Sequence, residues 1–303
     1  MKKAPLSILE FGYIDPPNLF AYQVINSLFE EIAIYDALGY KRFWLSEHYS
    51  REFAWHTPEI LLPLLAGYSN NIILGVAGIL LSYHSPLRVA LNFKMLSSIY
   101  AGRIDLGLAR AFVPDHISKY LTIADGKEPG VTWNNKIEEL FSFLNTHETE
   151  KSLIEHIIIP PHGTVLPTTW FLGSSEFSID NAAKYHSAFC LSFMHPGSNY
   201  EKNKDAIKKF KEKYYASYGE YPVTSVLIAA SFDYGEDDSS RFKSIYHRSG
   251  SINPIGSAGL ICETMEGIKN EVENDEFVLF TPVANREKRK YFFQEIMSQW
   301  TKP

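Results

Sequence analysis

Residues 37–111 read ALGYKRFWLSEHYSREFAWHTPEILLPLLAGYSNNIILGVAGILLSYHSPLRVALNFKMLSSIYAGRIDLGLARA, and this stretch decides the fold. Three short apolar runs, FWL at 43–45, IILGVAGILL at 72–81 and IDLGLA at 104–109, alternate with three helix-like segments. Strict alternation of strand and helix with short connections predicts a parallel sheet joined by right-handed crossovers. Ionisable residues stand just after the runs: Glu47 and His48 after the first, Tyr83 and His84 after the second, Arg110 after the third. Chemistry in α/β folds collects where parallel strands end, so the pattern predicts a site assembled from several strands.

The alternation continues on both sides of this stretch. An apolar run covers 6–11, and residues 18–38 place Val24, Leu28, Ile32 and Tyr35 on one helical stripe ending at Gly39 as C-cap. Strands are expected at 41–46, 72–78 and 103–108. The helices between them span 58–66, with Thr57 as N-cap and Pro58 in the first turn, and 86–100, capped by Ser85. Residues 112–168 are less regular, with a helix at 133–144 and then ETEKSLIEHIIIPP at 148–161 as a short irregular excursion. Further strands are expected at 169–173, 188–193, 223–230 and 276–280, with a helix starting near Phe177 after the first of them. The run KNKDAIKKFKEKYY at 202–215 sets Ile207, Phe210 and Tyr214 on one helical face, leaving its lysines as a solvated face. Eight strands and about eight helices predict an α/β chain folded as a (β/α)8 TIM barrel, with its excursion between strands 4 and 5 and one domain over 1–303.

Composition agrees with that size and class. The 303 residues are 45% hydrophobic and 14% aromatic, ample for a core without disulfide staples. The two cysteines, Cys190 and Cys262, lie in apolar segments and read as free buried thiols of a reducing compartment. A net charge of −6 argues against nucleic acid or an anionic membrane surface as partner. The MKK start is followed by an apolar stretch broken by Glu10 and Asp15, and the longest apolar run has ten residues, well short of a bilayer span. A cytoplasmic protein is expected. There is no G-x-G-x-x-G after a strand, no Walker loop, no C-x-x-C and no H-E-x-x-H, so neither a Rossmann dinucleotide site nor a metal centre is expected.

Gly173-Ser174-Ser175 follows a strand, and Ser178 stands where the next helix opens. Small residues let backbone N–H groups approach an anion, and a helix N-terminus adds favourable potential. The same pattern also fits an ordinary serine N-cap. Arg110 at a strand end presents a fork that grips phosphate bidentately, or else forms a surface salt bridge.

The blocks LGYKRFWLSEH, Pro58, ILGVAGILL, HSPLRVA and AGRIDLGLAR, with WFLGSSEFSIDNAA at 170–183, strongly resemble the bacterial-luciferase-like family of flavin-dependent oxidoreductases. Traces continue through FMHP at 193–196, INPIGS at 252–257 and the tail around Arg289, so the resemblance covers nearly the whole chain. It implies that Gly173, Ser174, Ser175 and Ser178 surround the phosphate of FMN, with Arg110 as charged partner. It places a non-proline cis peptide at Ala77–Gly78 beneath the flavin ring. His48 becomes the acid/base candidate, and Glu47 a catalytic-site residue that orients the strand end or the histidine. Where many relatives carry a second histidine, this chain has Tyr49, which removes a proton donor and places an aromatic wall at the substrate pocket, and where they carry a carboxylate after Val89-Ala90 it has Leu91. Trp55 and His56 either line a substrate pocket or pack their loop down. Tyr83 and His84 either face substrate or brace the loop that holds them.

Three functions follow from the resemblance. The first is an FMN-dependent monooxygenase using reduced flavin (FMNH2) and O2 on a small organic substrate, supplied by a separate flavin reductase or by NAD(P)H directly. The second is an FMN- or deazaflavin (F420)-dependent reductase or dehydrogenase of the same fold. The third is a non-catalytic flavin-binding partner subunit. A homodimer is implied through helices flanking the early strands, where Phe29, Tyr35 and Phe93 either meet a partner or fill the helix–barrel core.

Overall fold

The computed structural model describes residues 3–15, 19–110, 113–121, 129–145, 160–161, 165–194, 198–235, 242–243, 245–246 and 251–302. Eight parallel strands close into a barrel in chain order: β1 Leu6–Glu10, β2 Arg42–Leu45, β3 Ile73–Ile79, β4 Ile104–Leu108, β5 Thr168–Gly173, β6 Ala188–Ser192, β7 Thr224–Ala229 and β8 Glu276–Phe280. Closure is the pairing of β1 with β8, in register from Leu6 opposite Phe277 to Leu9 opposite Phe280. The ladder between β3 and β4 shifts between Val76 and Ile79, where the Ala77–Gly78 peptide is cis. The resemblance placed such a bond at this pair.

The helices with bounds among the described residues are α1 Ala21–Leu38, α2 Leu62–Ala66, α3 Pro86–Ile99, α4 Asp115–Leu121, α5 Pro129–Leu144, α6 Glu176–Lys184, α7 Tyr200–Asn203, α8 Ala206–Tyr218, α9 Ala258–Val272 and α10 Arg286–Trp300. The stripe on α1 is buried as expected, and the helix ends on Gly39 in the left-handed region at φ 86°. That conformation has no steric cost without a Cβ. Tyr35 and Phe93 are fully buried among the helix–barrel contacts, so of the two roles open to them they take the core one. Phe29 is half-buried, with its ring 5.0 Å from that of Tyr68. Among the described residues no helix is long and apolar enough to cross a membrane.

Several sequence expectations are corrected. The helix expected over 58–66 is a 3-10 turn, Pro58–Ile60, followed by the short α2. Pro63 has no N–H to donate back to the Glu59 carbonyl, so the 3-10 turn does not run on as one helix and Pro63 sits instead in the first turn of α2. Neither Thr57 nor Ser85 makes a side-chain cap bond; Pro58 and Pro86, each at a first helical position, open those segments instead. The lysine-rich run divides into α7 and α8, with Ile207, Phe210 and Tyr214 buried as expected. Among the described residues between β4 and β5 stand two helices rather than one. Helix α4 buries no side chain, so it left no apolar stripe to read. The excursion expected over 148–161 lies outside the described residues except for the cis Pro160–Pro161 pair, as do His195 and Pro196 of FMHP.

The N-terminal end of the barrel is filled by charge. Arg42 of β2 bonds Glu276 of β8 through Nε at 3.0 and 3.1 Å and Asp105 of β4 through Nη1 at 2.7 Å. Ser7 donates to Glu276 at 2.6 Å, Trp44 Nε1 donates to Asp105 at 2.8 Å, and the guanidinium lies 4.7 Å from the centre of the Trp170 ring. Burial pushes Asp105 toward its protonated form, while Arg42 pulls it back. Chemistry is left to the opposite end.

Candidate active site

The C-terminal strand ends enclose a cavity of about 260 Å³. Leu9 and Leu227 reach it from within β1 and β7, and Phe11, Leu80 and Met194 from just beyond β1, β3 and β6. Leu172 joins them from β5, so this part of the wall is apolar. Glu47, His48, Ala77, Gly78, Arg110, Gly173, Ser174, Ser175 and Ser178 all line the same cavity. Every residue assigned from sequence to catalysis or cofactor binding is therefore brought to one place, from β2, β3, β4 and the turn from β5 into α6.

The β5–α6 turn gathers small residues and hydroxyls at a helix N-terminus. Ser175 is the N-cap of α6 and its hydroxyl accepts from the Ser178 amide at 3.3 Å, so the capping reading is correct at that residue. The Ser178 hydroxyl lies 3.2 Å from that of Ser175, and the Ser174 carbonyl is held by Asn203 Nδ2 of α7 at 3.0 Å. A Cβ at Gly173 would come within 2.6 Å of the Ser178 hydroxyl, so only glycine leaves this corner open. Arg110 is exposed at the mouth, its guanidinium 5.4 Å from the centre of the Phe177 ring, and no described carboxylate pairs with it. A cation held by ring stacking, small hydroxyls and a helix N-terminus together suit a phosphate.

Near the end of β3, Ala77 and Gly78 present nearly bare backbone to the cavity. A Cβ at Gly78 would meet the Ala109 nitrogen at 2.8 Å. The half-buried His48 ring packs 4.6 Å from Phe11 and 5.4 Å from Phe53, and the His48 carbonyl accepts from His56 Nδ1 at 2.7 Å. His48 is thus fixed by apolar walls on one side and a backbone tie on the other.

Glu47 is buried, and its carboxylate binds other residues than His48. One oxygen accepts from the Leu80 amide at 2.9 Å; the other accepts from the Tyr49 hydroxyl at 3.0 Å and meets His84 Nε2 at 2.7 Å. Burial lowers the basicity of His84, but the hydrogen bond and charge of Glu47, with Glu59 nearby, outweigh it and raise the pKa. Burial and the same carboxylate hold the Tyr49 phenol protonated.

The four residues assigned to a substrate pocket lie off the cavity wall. Trp55 is buried, donates to the Ser46 carbonyl at 3.1 Å and lies over Gly12, so it packs its loop down. Tyr83 is buried, and its hydroxyl accepts from the Val113 amide at 3.2 Å. His84 and Tyr49 belong to the Glu47 cluster, and Tyr49 stacks on His56 at 5.4 Å. Leu91, where a carboxylate was missed, is half-buried against the apolar core and does not reach the cavity. Sequence reading overlooked the apolar lining itself, above all Phe11, Phe177 and Met194. Their signal was position, since Phe11 and Met194 each follow directly on an apolar strand run. Among the described residues no three His, Cys, Asp or Glu side chains are placed to hold a metal ion.

A family profile described as luciferase-like monooxygenase matches residues 9–247. The chain belongs to that family. It is 32% identical over 193 residues to the uncharacterized protein YwcH of Bacillus subtilis (strain 168), covering 63% of this chain and 57% of that one. It is 25% identical over 291 residues to the N-acetyl-S-alkylcysteine monooxygenase of the same organism, covering 84% and 86%. The match thus spans little more than half of some curated relatives and most of another. The crystal structure of apo-MsnO8 superposes with a TM-score of 0.79 at 21% identity, covering 98% of each chain. The FMN complex of the oxygenating constituent of 3,6-diketocamphane monooxygenase from Pseudomonas putida gives 0.76 at 15%, covering 99% and 98%. An F420-dependent secondary alcohol dehydrogenase gives 0.75 at 12%, covering 99% and 100%. These similarities extend the barrel fold to monooxygenases and dehydrogenases alike.

Proposed function

We propose that this chain is an FMN-dependent monooxygenase that uses reduced flavin and O2 to oxygenate a small organic substrate. The observation that carries the reading is the sharing of one cavity by a small-residue turn at a helix N-terminus, an arginine with which no described carboxylate pairs, bare backbone at Ala77–Gly78 and a walled-in histidine. The residues fit a flavin mononucleotide: Ser174, Ser175, Ser178 and Arg110 would hold its phosphate, and Ala77 with Gly78 would lie against its ring. Reduced FMN, when bound, supplies the two electrons that divide O2 between an oxygenated product and water. His48 holds or moves the proton that this division requires, and the Phe11, Leu80 and Met194 walls exclude bulk water. The relative named for N-acetyl-S-alkylcysteine supports a small organic substrate.

The same reading has a homodimer fed by a separate flavin reductase or by NAD(P)H directly. Its support is an exposed apolar face on the 3-10 turn, α2 and α3, with Ile60, Leu64, Met95 and Ile99 uncovered. The Tyr100 hydroxyl on the Pro63 carbonyl at 3.1 Å ties the end of α3 to α2.

The deciding experiment titrates FMN and FMNH2 anaerobically and then admits a pulse of O2. Tight binding of FMNH2 and a flavin transient after O2, both weakened in Arg110→Ala and the transient altered in His48→Ala, support the oxygenase. Binding followed only by fast uncoupled reoxidation favours hydride chemistry. Failure to bind FMN in either redox state moves the cofactor to a deazaflavin.

A further inference from the structure

We propose that Glu47 and His84 form a latch that positions the β3 end of the cavity lining, at residues 78–80, and makes the grip on that segment depend on pH. The Glu47 carboxylate holds the Leu80 amide, two residues beyond Gly78, and His84 holds the carboxylate. Glu47 is also the residue directly before His48, so one peptide joins the latch to the acid/base candidate. With donors at 2.7, 2.9 and 3.0 Å on its two oxygens, this carboxylate is committed to holding its neighbours. Its role is positioning, and the proton chemistry is left to His48.

The loop that carries His84 is gripped twice. Its side chain meets Glu47, and Lys136 of α5 donates from Nζ to the carbonyls of Ser82 at 2.7 Å and His84 at 3.0 Å. The charged and titratable groups facing His84 are Glu47 and Tyr49 beyond β2, Glu59 on the 3-10 turn, and Lys136 on α5. Two carboxylates against one ammonium favour the imidazolium, which makes the charge-assisted form of the bond, the stronger one by about twofold. Because the folded pKa of His84 is raised, the latch is fully closed below about pH 6.5, the ordinary histidine value, and weakens as pH rises through the raised one.

The effect on flavin affinity rests on the function proposed above, whereas the hold on Leu80 does not, so the test measures both. Hydrogen–deuterium exchange of the 78–84 segment in the flavin-free chain, corrected for intrinsic exchange, is followed with pH alongside FMN titrations. Wild type is compared with Glu47→Gln and His84→Gln. At pH 6 the segment exchanges about tenfold faster in both variants, the effect of losing one charged hydrogen bond. Wild type shows a rise in exchange as pH increases, and His84→Gln shows none. FMN affinity moves inversely with exchange: it falls in wild type as pH increases, and in His84→Gln it is already low and lacks that dependence. Equal exchange in folded variants and wild type at every pH overturns the latch. A latch seen in exchange beside a wild type that does not bind FMN keeps the latch and overturns the cofactor reading. His84 is only part-buried, so His84→Gln decides the matter if Glu47→Gln does not fold.

Discussion

Arg110 and Gly173 test the anion site from two directions. Arg110 stacks on Phe177 with no carboxylate partner among the described residues, so Arg110→Ala should remove the proposed phosphate ligand and leave the fold intact. FMN binding followed by fluorescence should weaken about tenfold to a hundredfold, the range of one charge-assisted hydrogen bond. Gly173→Ala adds a methyl 2.6 Å from the Ser178 hydroxyl and should weaken binding by displacing the turn rather than by removing charge. Salt should therefore reduce the difference between wild type and Arg110→Ala, and leave that for Gly173→Ala unchanged. The cysteines make a separate prediction. Burial pushes the Cys190 thiol up to about 12 and the Cys262 thiol up to about 11. Since the thiolate is the reactive form, both should be silent to a disulfide reagent near pH 8 in the native protein, and both should react in denaturant. Rapid labelling of either in the native state would contradict the burial described here.

Single strands and helices show which parts of the fold announce themselves in sequence. The strands at 41–46, 72–78 and 276–280 were legible because each holds a short apolar run between polar or turn residues. The Ser174–Ser178 turn was legible because small hydroxyls follow a strand end. Helix α4 was not, having no buried side chain, and the broken segment at 58–66 was misread because Pro63 acts inside what looks like one helical stretch. The Glu47 cluster was beyond reach for another reason. Its bonds to Leu80 and His84 span 33 and 37 residues, and no local pattern encodes them. The strand elements also carry the ion cluster, which gives a stability prediction. Arg42→Met leaves Asp105 and Glu276 buried without their shared cation and should cost about 3–5 kcal/mol in urea unfolding. An unchanged midpoint would mean that the carboxylates take up protons at no cost.

The molecule as a whole has one end plugged by charge and one open to ligands, with an apolar face on α2 and α3 along its flank. If a second copy covers that face, the chain sediments as a dimer at micromolar concentration, and Met95→Glu with Ile99→Glu yields a folded monomer. A monomeric wild type would remove the dimer from the proposed function. The last helix closes the structure in another sense. Arg289 on α10 is fully buried between Glu10 of β1 and Glu31 of α1, at 3.2 Å from each carboxylate. Glu10 and Arg289 stand 279 residues apart, which at ribosomal speed is roughly 15 to 60 s of synthesis. For that interval the nascent chain carries two carboxylates meant for burial and lacks the cation that makes burial tolerable. Until Arg289 is made, Glu10 of the first strand and Glu31 of the first helix can be buried only without that cation, so their packing is completed by a residue made some 279 positions after the first of them.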